Sequence, residues 1–100
     1  PEGLHLTPEE YAIVTGILRH HLPPGAKIYA FGSRVRGAPK PFSDLDLAID
    51  AGQPLPLALL ADLRQAFGDS NLPWKVDIAD MTTVSGEFRG IIERQKFAIM

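Results

Sequence analysis

Hydrophobic residues in the first quarter of the chain recur every three or four positions, which is the period of an amphipathic helix. The repeating residues are Tyr11, Val14, Ile17, Leu18 and Leu22. Thr7 precedes them, with Pro8 next and Glu10 three positions later. This is the pattern of an N-cap, a first helical residue and a capping box. Because the Pro-Pro-Gly of residues 23–25 cannot continue a helix, the pattern predicts one helix between Thr7 and that stop.

Three short segments have the pattern of strands. Residues 26–31, "AKIYAF", are rich in strand formers and end at Gly32. Residues 44–50, "DLDLAID", and 74–80, "WKVDIAD", alternate between the two faces of a strand. In the first of these two strands, one face would carry Leu45, Leu47 and Ile49, and the other Asp44, Asp46, Ala48 and Asp50. In the second, one face would carry Trp74, Val76 and Ile78, and the other Lys75, Asp77 and Ala79.

The remaining segments complete a mixed fold. "LALLADLRQAF" predicts a helix that stops at Gly68, "GSRVRGAPKPF" a loop or short helical turn, and Ser85 to Phe97 a last helix. The order helix, strand, strand, helix, strand, helix predicts an α+β fold. We expect a small three-stranded mixed sheet with helices mainly on its Leu45, Leu47 and Ile49 face. The carboxylate face should stay comparatively open. The length of 100 residues fits a single domain, residues 1–100.

Composition removes several classes of function. A net charge of -2 gives no electrostatic case for general binding to DNA or RNA. No apolar run approaches the roughly 20 residues that span a bilayer, so no membrane partner is expected. With no cysteine, the chain has no disulfide, thiolate metal site or cysteine nucleophile. A cytoplasmic location fits this composition.

Asp44 and Asp46 should project from the same side of a strand, with alpha carbons about 6.6 Å apart. Two carboxylates so placed repel one another, and a divalent cation removes the conflict. Magnesium prefers such oxygen ligands. Asp77, on the polar side of a later strand, is the natural third ligand of a site for two metal ions. The alternative is a solvated polar face, which is how we interpret Asp50, Asp62, Asp69 and Asp80.

A Gly-Ser pair lies upstream of the carboxylates. Glycine allows a ligand close to the backbone, and Ser33 offers a hydroxyl and an N–H at a helical turn, as in phosphate sites. The segment is neither a P-loop nor a G-x-G-x-x-G motif. Arg34 and Arg36 either reach phosphate oxygens or are ordinary surface residues. The histidines are interpreted as surface or helix-end residues: His5, His20 and His21.

Taken together, "FGSRVRG", "SDLDLAID" and "VDIAD" resemble the nucleotidyltransferase superfamily of DNA polymerase beta type. The resemblance is greatest to the minimal nucleotidyltransferases of bacteria and archaea, and it covers essentially the whole chain. It implies that Gly32 and Ser33 hold the triphosphate of a nucleotide. It also implies that Asp44, Asp46 and Asp77 bind two Mg²⁺ ions, and that Asp77 helps to activate the attacking hydroxyl.

The same resemblance implies a partner. Small members of this family are commonly paired with a small all-helical HEPN ribonuclease toxin. The implied function is that of an antitoxin which transfers AMP from ATP to a tyrosine of the toxin. Two alternatives fit the same residues. One is an antitoxin that neutralises by binding with little catalysis, and the other is a nucleotidyltransferase with a small-molecule or RNA acceptor. Homo- and hetero-oligomers are both compatible with the apolar helical faces.

Overall fold

Helices and strands alternate along the chain in the computed structural model, which describes residues 3–37 and 39–100 and, of Arg36, only the backbone. The helices are α1 (Pro8–His21), α2 (Ser33–Arg36), α3 (Leu57–Gly68) and α4 (Gly86–Gln95). The strands are β1 (Lys27–Phe31), β2 (Leu45–Asp50), β3 (Val76–Asp80) and β4 (Phe97–Ala98). The short turn expected after the Gly-Ser pair is the helix α2.

The first helix begins as the sequence predicts. The Glu10 backbone N–H donates to Thr7 Oγ1 over 3.1 Å, and the Thr7 N–H donates to Glu10 Oε1 over 2.9 Å. This reciprocal capping box satisfies two N–H groups that have no partner inside the helix. The helix ends at His21, before the Pro-Pro-Gly segment.

The sheet has the strand order β3-β2-β1-β4. β1 lies antiparallel to β2 and β4, while β2 and β3 are parallel. Parallel neighbours need a crossover, which α3 supplies. The predicted mixed sheet is confirmed, and its parallel pair brings the start of β2 beside the start of β3.

The main core lies between one sheet face and the helices α1 and α3. Its fully buried side chains include Leu18, Leu45, Leu47, Ile49 and Leu63. The alternation of β2 therefore places its leucines and isoleucine as predicted, and the charged alternate positions face the other side of the sheet.

Two details of the predicted fold are wrong. The sheet has a fourth strand, and the last helix ends at Gln95, so Phe97 lies in β4 rather than in the helix. A two-residue strand is too short to show a period-two pattern. β4 forms because the edge of β1 is available, with the Ile99 N–H donating to the Ile28 carbonyl over 2.9 Å.

The carboxylate face is also less open than expected. α4 packs across part of it, where Ile92 forms a small second core with Phe31, Ala48 and Met81. The part of this face next to Asp46 and Asp77 remains accessible. In the described ranges, no helix is long and apolar enough to cross a membrane.

Candidate active site

Asp46 and Asp77 occupy paired positions on neighbouring parallel strands. Their alpha carbons are register partners of β2 and β3, and both side chains project from the same face of the sheet. Asp44 comes immediately before β2, at the point where the Leu45 N–H donates to the Lys75 carbonyl over 2.9 Å. The fold thus brings carboxylates about 30 positions apart in sequence to adjacent strand starts.

The electrostatics show that these carboxylates affect one another. Burial raises the pKa of Asp46, and the negative charges of Asp77 and then Asp44 raise it further. Asp46 is half-buried, while Asp77 is exposed. Without a cation, the site therefore holds like charges in a partly desolvated position, which costs free energy.

The Gly-Ser turn lies directly against Asp46. β1 ends at Phe31, the antiparallel register partner of Asp46, and Gly32 follows with φ 79° and ψ -157°. This backbone conformation is essentially restricted to glycine. A Cβ atom at Gly32 would overlap Asp46 Oδ2. Gly32 is therefore required both by the turn and by the closeness of the carboxylate.

A residue that the sequence analysis missed holds this turn. The Gln95 Oε1 atom, in the last turn of α4, accepts the Gly32 N–H over 3.1 Å. The two residues are 63 positions apart. No local pattern marks Gln95, because its role depends on where α4 docks.

Arg34 does not reach outward for phosphate. Its side chain is buried, 6% exposed, and donates to three backbone carbonyl oxygens while its guanidinium stacks over Trp74. Neither interpretation of Arg34 from the sequence is therefore correct. Ser33, the first residue of α2, is exposed. The Arg36 side chain lies outside the described part of the structure, so its role stays a prediction.

Two clefts border Asp77. One, of about 390 Å³, is lined by Phe31, Asp46, Asp77 and Phe88 among others. The other, of about 870 Å³, extends from Asp44 and Asp77 toward Trp74 and the end of α3. Substrate groups can therefore reach Asp77 from either cleft.

The donor set suits magnesium in its chemistry, because hard carboxylate oxygens are the ligands this ion prefers. Burial, and then the charges of Asp77 and Asp44, raise the pKa of Asp46, because they disfavour its ionised form. A bound divalent cation would offset this unfavourable electrostatic free energy. In residues 3–37 and 39–100, no three acidic or histidine side chains are already gathered into a metal-binding group. The three-aspartate metal site stays a prediction.

Asp80 was interpreted as an ordinary surface acid, and this is wrong. It is 8% exposed. Its carboxylate accepts the Leu55 N–H over 2.8 Å and the Thr82 N–H and hydroxyl over 3.0 and 2.8 Å. Burial alone would raise its pKa, but these hydrogen bonds together hold the pKa below its ordinary value. The residue ties the segment before α3 to the end of β3.

The other residues set aside as ordinary do not line either cleft. Asp62 and Asp69 are exposed, and Asp50 accepts the Gly52 N–H over 2.9 Å in the turn after β2. His5 and His20 are exposed, and the His21 ring pairs with the Ile17 carbonyl over 2.9 Å at the end of α1.

Comparison with known proteins decides the family. A family model described as a nucleotidyltransferase domain matches residues 13–100. The chain belongs to this nucleotidyltransferase family. The resemblance inferred from the sequence is confirmed.

This nucleotidyltransferase can be compared with an adenylyltransferase relative and with solved structures. It is 47% identical over 91 residues to a probable protein adenylyltransferase MntA of Haemophilus influenzae, an alignment that covers 91% of this chain and 79% of the relative. A solved structure described as a toxin-antitoxin with AMP-PNP has a TM-score of 0.77 and 27% identity, over 90% of this chain and 72% of the other.

A further solved structure is described as a tri-AMPylated Shewanella oneidensis HEPN toxin in complex with an MNT antitoxin. The nucleotidyltransferase matches it with a TM-score of 0.69 and 24% identity, over 90% of its own length and 68% of that chain. This likeness establishes a shared fold.

Proposed function

We propose that this nucleotidyltransferase is a protein adenylyltransferase and antitoxin, which transfers AMP from ATP to a tyrosine of a small all-helical HEPN toxin. The strongest support is 47% identity to a relative named as a probable protein adenylyltransferase. The toxin-antitoxin structure with AMP-PNP, at 27% identity, supports a nucleoside triphosphate substrate and a toxin partner. ATP as substrate agrees with the cytoplasmic location expected from the sequence.

The proposed reaction is an in-line displacement at the α-phosphorus of ATP. The tyrosine oxygen forms the new P–O bond, the bond between the α-phosphorus and the bridging oxygen to the β-phosphate breaks, and pyrophosphate leaves. The phenol proton passes to Asp77, whose exposed carboxylate borders both clefts. Gly32 and Ser33 hold the triphosphate beside Asp46, since the turn lies against that carboxylate.

Asp44, Asp46 and Asp77 would hold Mg²⁺ in this proposal. When bound, the ions neutralise charge on the phosphate oxygens and on the leaving group. The chain's own contribution is to hold three carboxylates on neighbouring strands, although burial and repulsion raise the pKa of Asp46. An adenylyltransferase needs no histidine for this chemistry.

The proposal is tested by incubating the protein with its toxin, ATP labelled on the α-phosphate, and Mg²⁺, and by mapping label on the toxin. Asp46→Asn should abolish transfer while the fold persists. Asp50→Asn is the matched control, because Asp50 lies on the same strand and face, four residues away. It should transfer label at the wild-type rate.

Full transfer by Asp46→Asn would overturn the metal role of that residue. Label on a residue other than tyrosine would overturn the acceptor assignment. If the wild-type protein binds the toxin but labels nothing, the adenylyltransferase proposal fails.

A second candidate is an antitoxin that acts by contact alone. It is favoured by Phe88 and Ile91, two apolar residues of α4 that are each 37% exposed. Neutralisation of the toxin by an Asp44→Asn/Asp46→Asn double variant would support this candidate. Loss of neutralisation, with binding retained, would support catalysis.

A further inference from the structure

Arg34 is a buried cation whose three hydrogen bonds all go to backbone carbonyl oxygens. Nε donates to Ser43 over 2.9 Å, Nη1 to His5 over 3.0 Å and Nη2 to Pro41 over 3.1 Å. The His5 N–H returns a bond to the Arg34 carbonyl over 2.8 Å. In the described residues, no carboxylate forms an ion pair with its guanidinium.

Two contacts of Arg34, Ser43 and Trp74, belong to the separate segments that lead into the candidate site. Arg34 itself follows Gly32 and Ser33 in α2. Ser43 directly precedes Asp44, and Trp74, whose ring centroid lies 4.4 Å from Arg34 Cζ, is three residues before Asp77. One side chain that originates directly after the Gly-Ser turn therefore contacts the segments that lead into both acidic strands.

We propose that Arg34 is a positioning residue, which fixes the Gly-Ser turn relative to Asp44, Asp46 and Asp77 through its bonds to Ser43 and Pro41 and its stacking on Trp74. This inference rests on the proposed adenylyltransferase function. It goes beyond that function because it assigns the alignment of phosphate and carboxylates to a residue that touches neither.

The geometry requires arginine rather than lysine. A planar guanidinium donates in several fixed directions within one plane and stacks its face on an aromatic ring, whereas an ammonium is a compact point charge. Lysine at this position could keep the charge and one hydrogen bond, but neither the three-way bonding nor the stacking. The segment of residues 40–43 would then be held less firmly to α2.

The expected consequence is a loss of alignment rather than of nucleotide binding. Misplacing reacting groups by about 1 Å costs a rate of about 10²-fold. In Arg34→Lys, kcat for AMP transfer at saturating toxin and ATP should fall by up to about this factor. KM for ATP should change far less, because the Gly-Ser turn itself is intact.

Trp74 provides a readout that does not depend on activity. It is the single tryptophan of the chain and is 8% exposed. Loss of the guanidinium from its ring should increase quenching of its fluorescence by acrylamide in Arg34→Lys. The measurement uses the full chain, free and in complex with the toxin.

Two controls separate positioning from general stability. Arg19→Lys makes the same exchange at an exposed position of α1. Leu22→Ala removes packing beside Ile28 and Met100, away from the carboxylates, and lowers Tm. Both should keep kcat at the wild-type value when assayed well below their Tm.

The outcomes are distinct. A selective fall in kcat together with greater Trp74 quenching supports the inference. Unchanged kcat in Arg34→Lys overturns the inference while the proposed function stands. So does an equal loss of kcat in Leu22→Ala, if the two variants have the same Tm. A wild-type protein that transfers no AMP overturns the proposed function, and this inference with it.

Discussion

Gly32 lies so close to Asp46 that the space between them has no room for a methyl group. The turn that ends β1 and the carboxylate that begins β2 are therefore packed against each other in the folded chain. In the reaction proposed for this nucleotidyltransferase, this contact would set how near the triphosphate comes to the three carboxylates.

Gly32→Ala should abolish AMP transfer and destabilise the fold. The added Cβ overlaps Asp46 Oδ2, and φ is 79° at this position. Gly25→Ala is the matched control, because φ is 86° there but no atom lies within 4 Å of the new Cβ. Both variants carry the backbone strain, of about 1–3 kcal/mol. Denaturant unfolding should show a larger loss for Gly32→Ala. Equal losses, with activity kept in both, would contradict the tight contact.

Asp46→Asn should stabilise the metal-free protein while it removes activity. Burial and the charges of Asp77 and Asp44 raise the pKa of Asp46, so its ionised form is disfavoured in the folded state. Relief of like-charge pairs on adjacent strands is worth about 0.2–1 kcal/mol. Urea unfolding in EDTA checks this, with Asp50→Asn as control. The wild-type protein should gain stability from added Mg²⁺ and the variant should gain less; equal gains would count against Asp46 as a ligand.

Stability at acidic pH should depend on Asp80. Its folded-state pKa lies below its ordinary value, because hydrogen bonds from Leu55 and Thr82 outweigh the opposing effect of burial. A depressed carboxyl pKa contributes stability above the unfolded pKa of about 3.9, and this is lost as pH falls through the folded pKa.

Asp80→Asn should therefore lower the free energy of unfolding at neutral pH by about 1–3 kcal/mol and flatten its dependence on pH below about 5. Denaturant titrations from neutral to acidic pH measure both effects. Asp62→Asn, at an exposed position of α3, serves as the control. A parallel loss at every pH would show that the Asp80 charge is not what matters.

Gln95→Ala should reduce kcat without unfolding the protein. It removes the acceptor of the Gly32 N–H, and the turn is then free to move relative to Asp46. The net loss of stability should be about 0.5–1.5 kcal/mol, as for a typical hydrogen bond. Arg94→Ala, at the neighbouring exposed position of α4, should leave transfer unchanged. An equal effect of the two variants would assign the loss to the helix rather than to the bond.

The extent of prediction from sequence differs between elements for physical reasons. α1 and β2 were predictable because their signals are local: a capping box at Thr7 and Glu10, and strict alternation from Leu45 to Ile49. β4 was not predictable, because two residues are too few to show an alternation of hydrophobic and polar positions. In addition, the pairing of Phe97 with Ala30 depends on the edge of a strand that is distant in sequence. The family could be recognised because Gly32, Asp44, Asp46 and Asp77 form a spaced motif.

Asp80 and Arg34 show that burial cannot always be predicted from residue type. Each is charged and lies near a turn or loop, which favours a surface interpretation. Both are buried because the fold supplies enough partners: backbone and hydroxyl donors for Asp80, and three carbonyl oxygens for Arg34. One partner of each residue, Leu55 for Asp80 and His5 for Arg34, is distant in sequence, so a local pattern does not predict the burial.

The sequence by itself determined the type of elements, the faces of the strands and the chemistry available to the site, since periodicity, caps and carboxylates are properties of neighbouring residues. Only the tertiary structure decided that Asp46 and Asp77 are register partners, that Gln95 holds Gly32 and that Arg34 joins the loops. These arrangements arise from parallel strand pairing and helix docking, where contacts form between segments whose separation along the chain carries no information about their final distance.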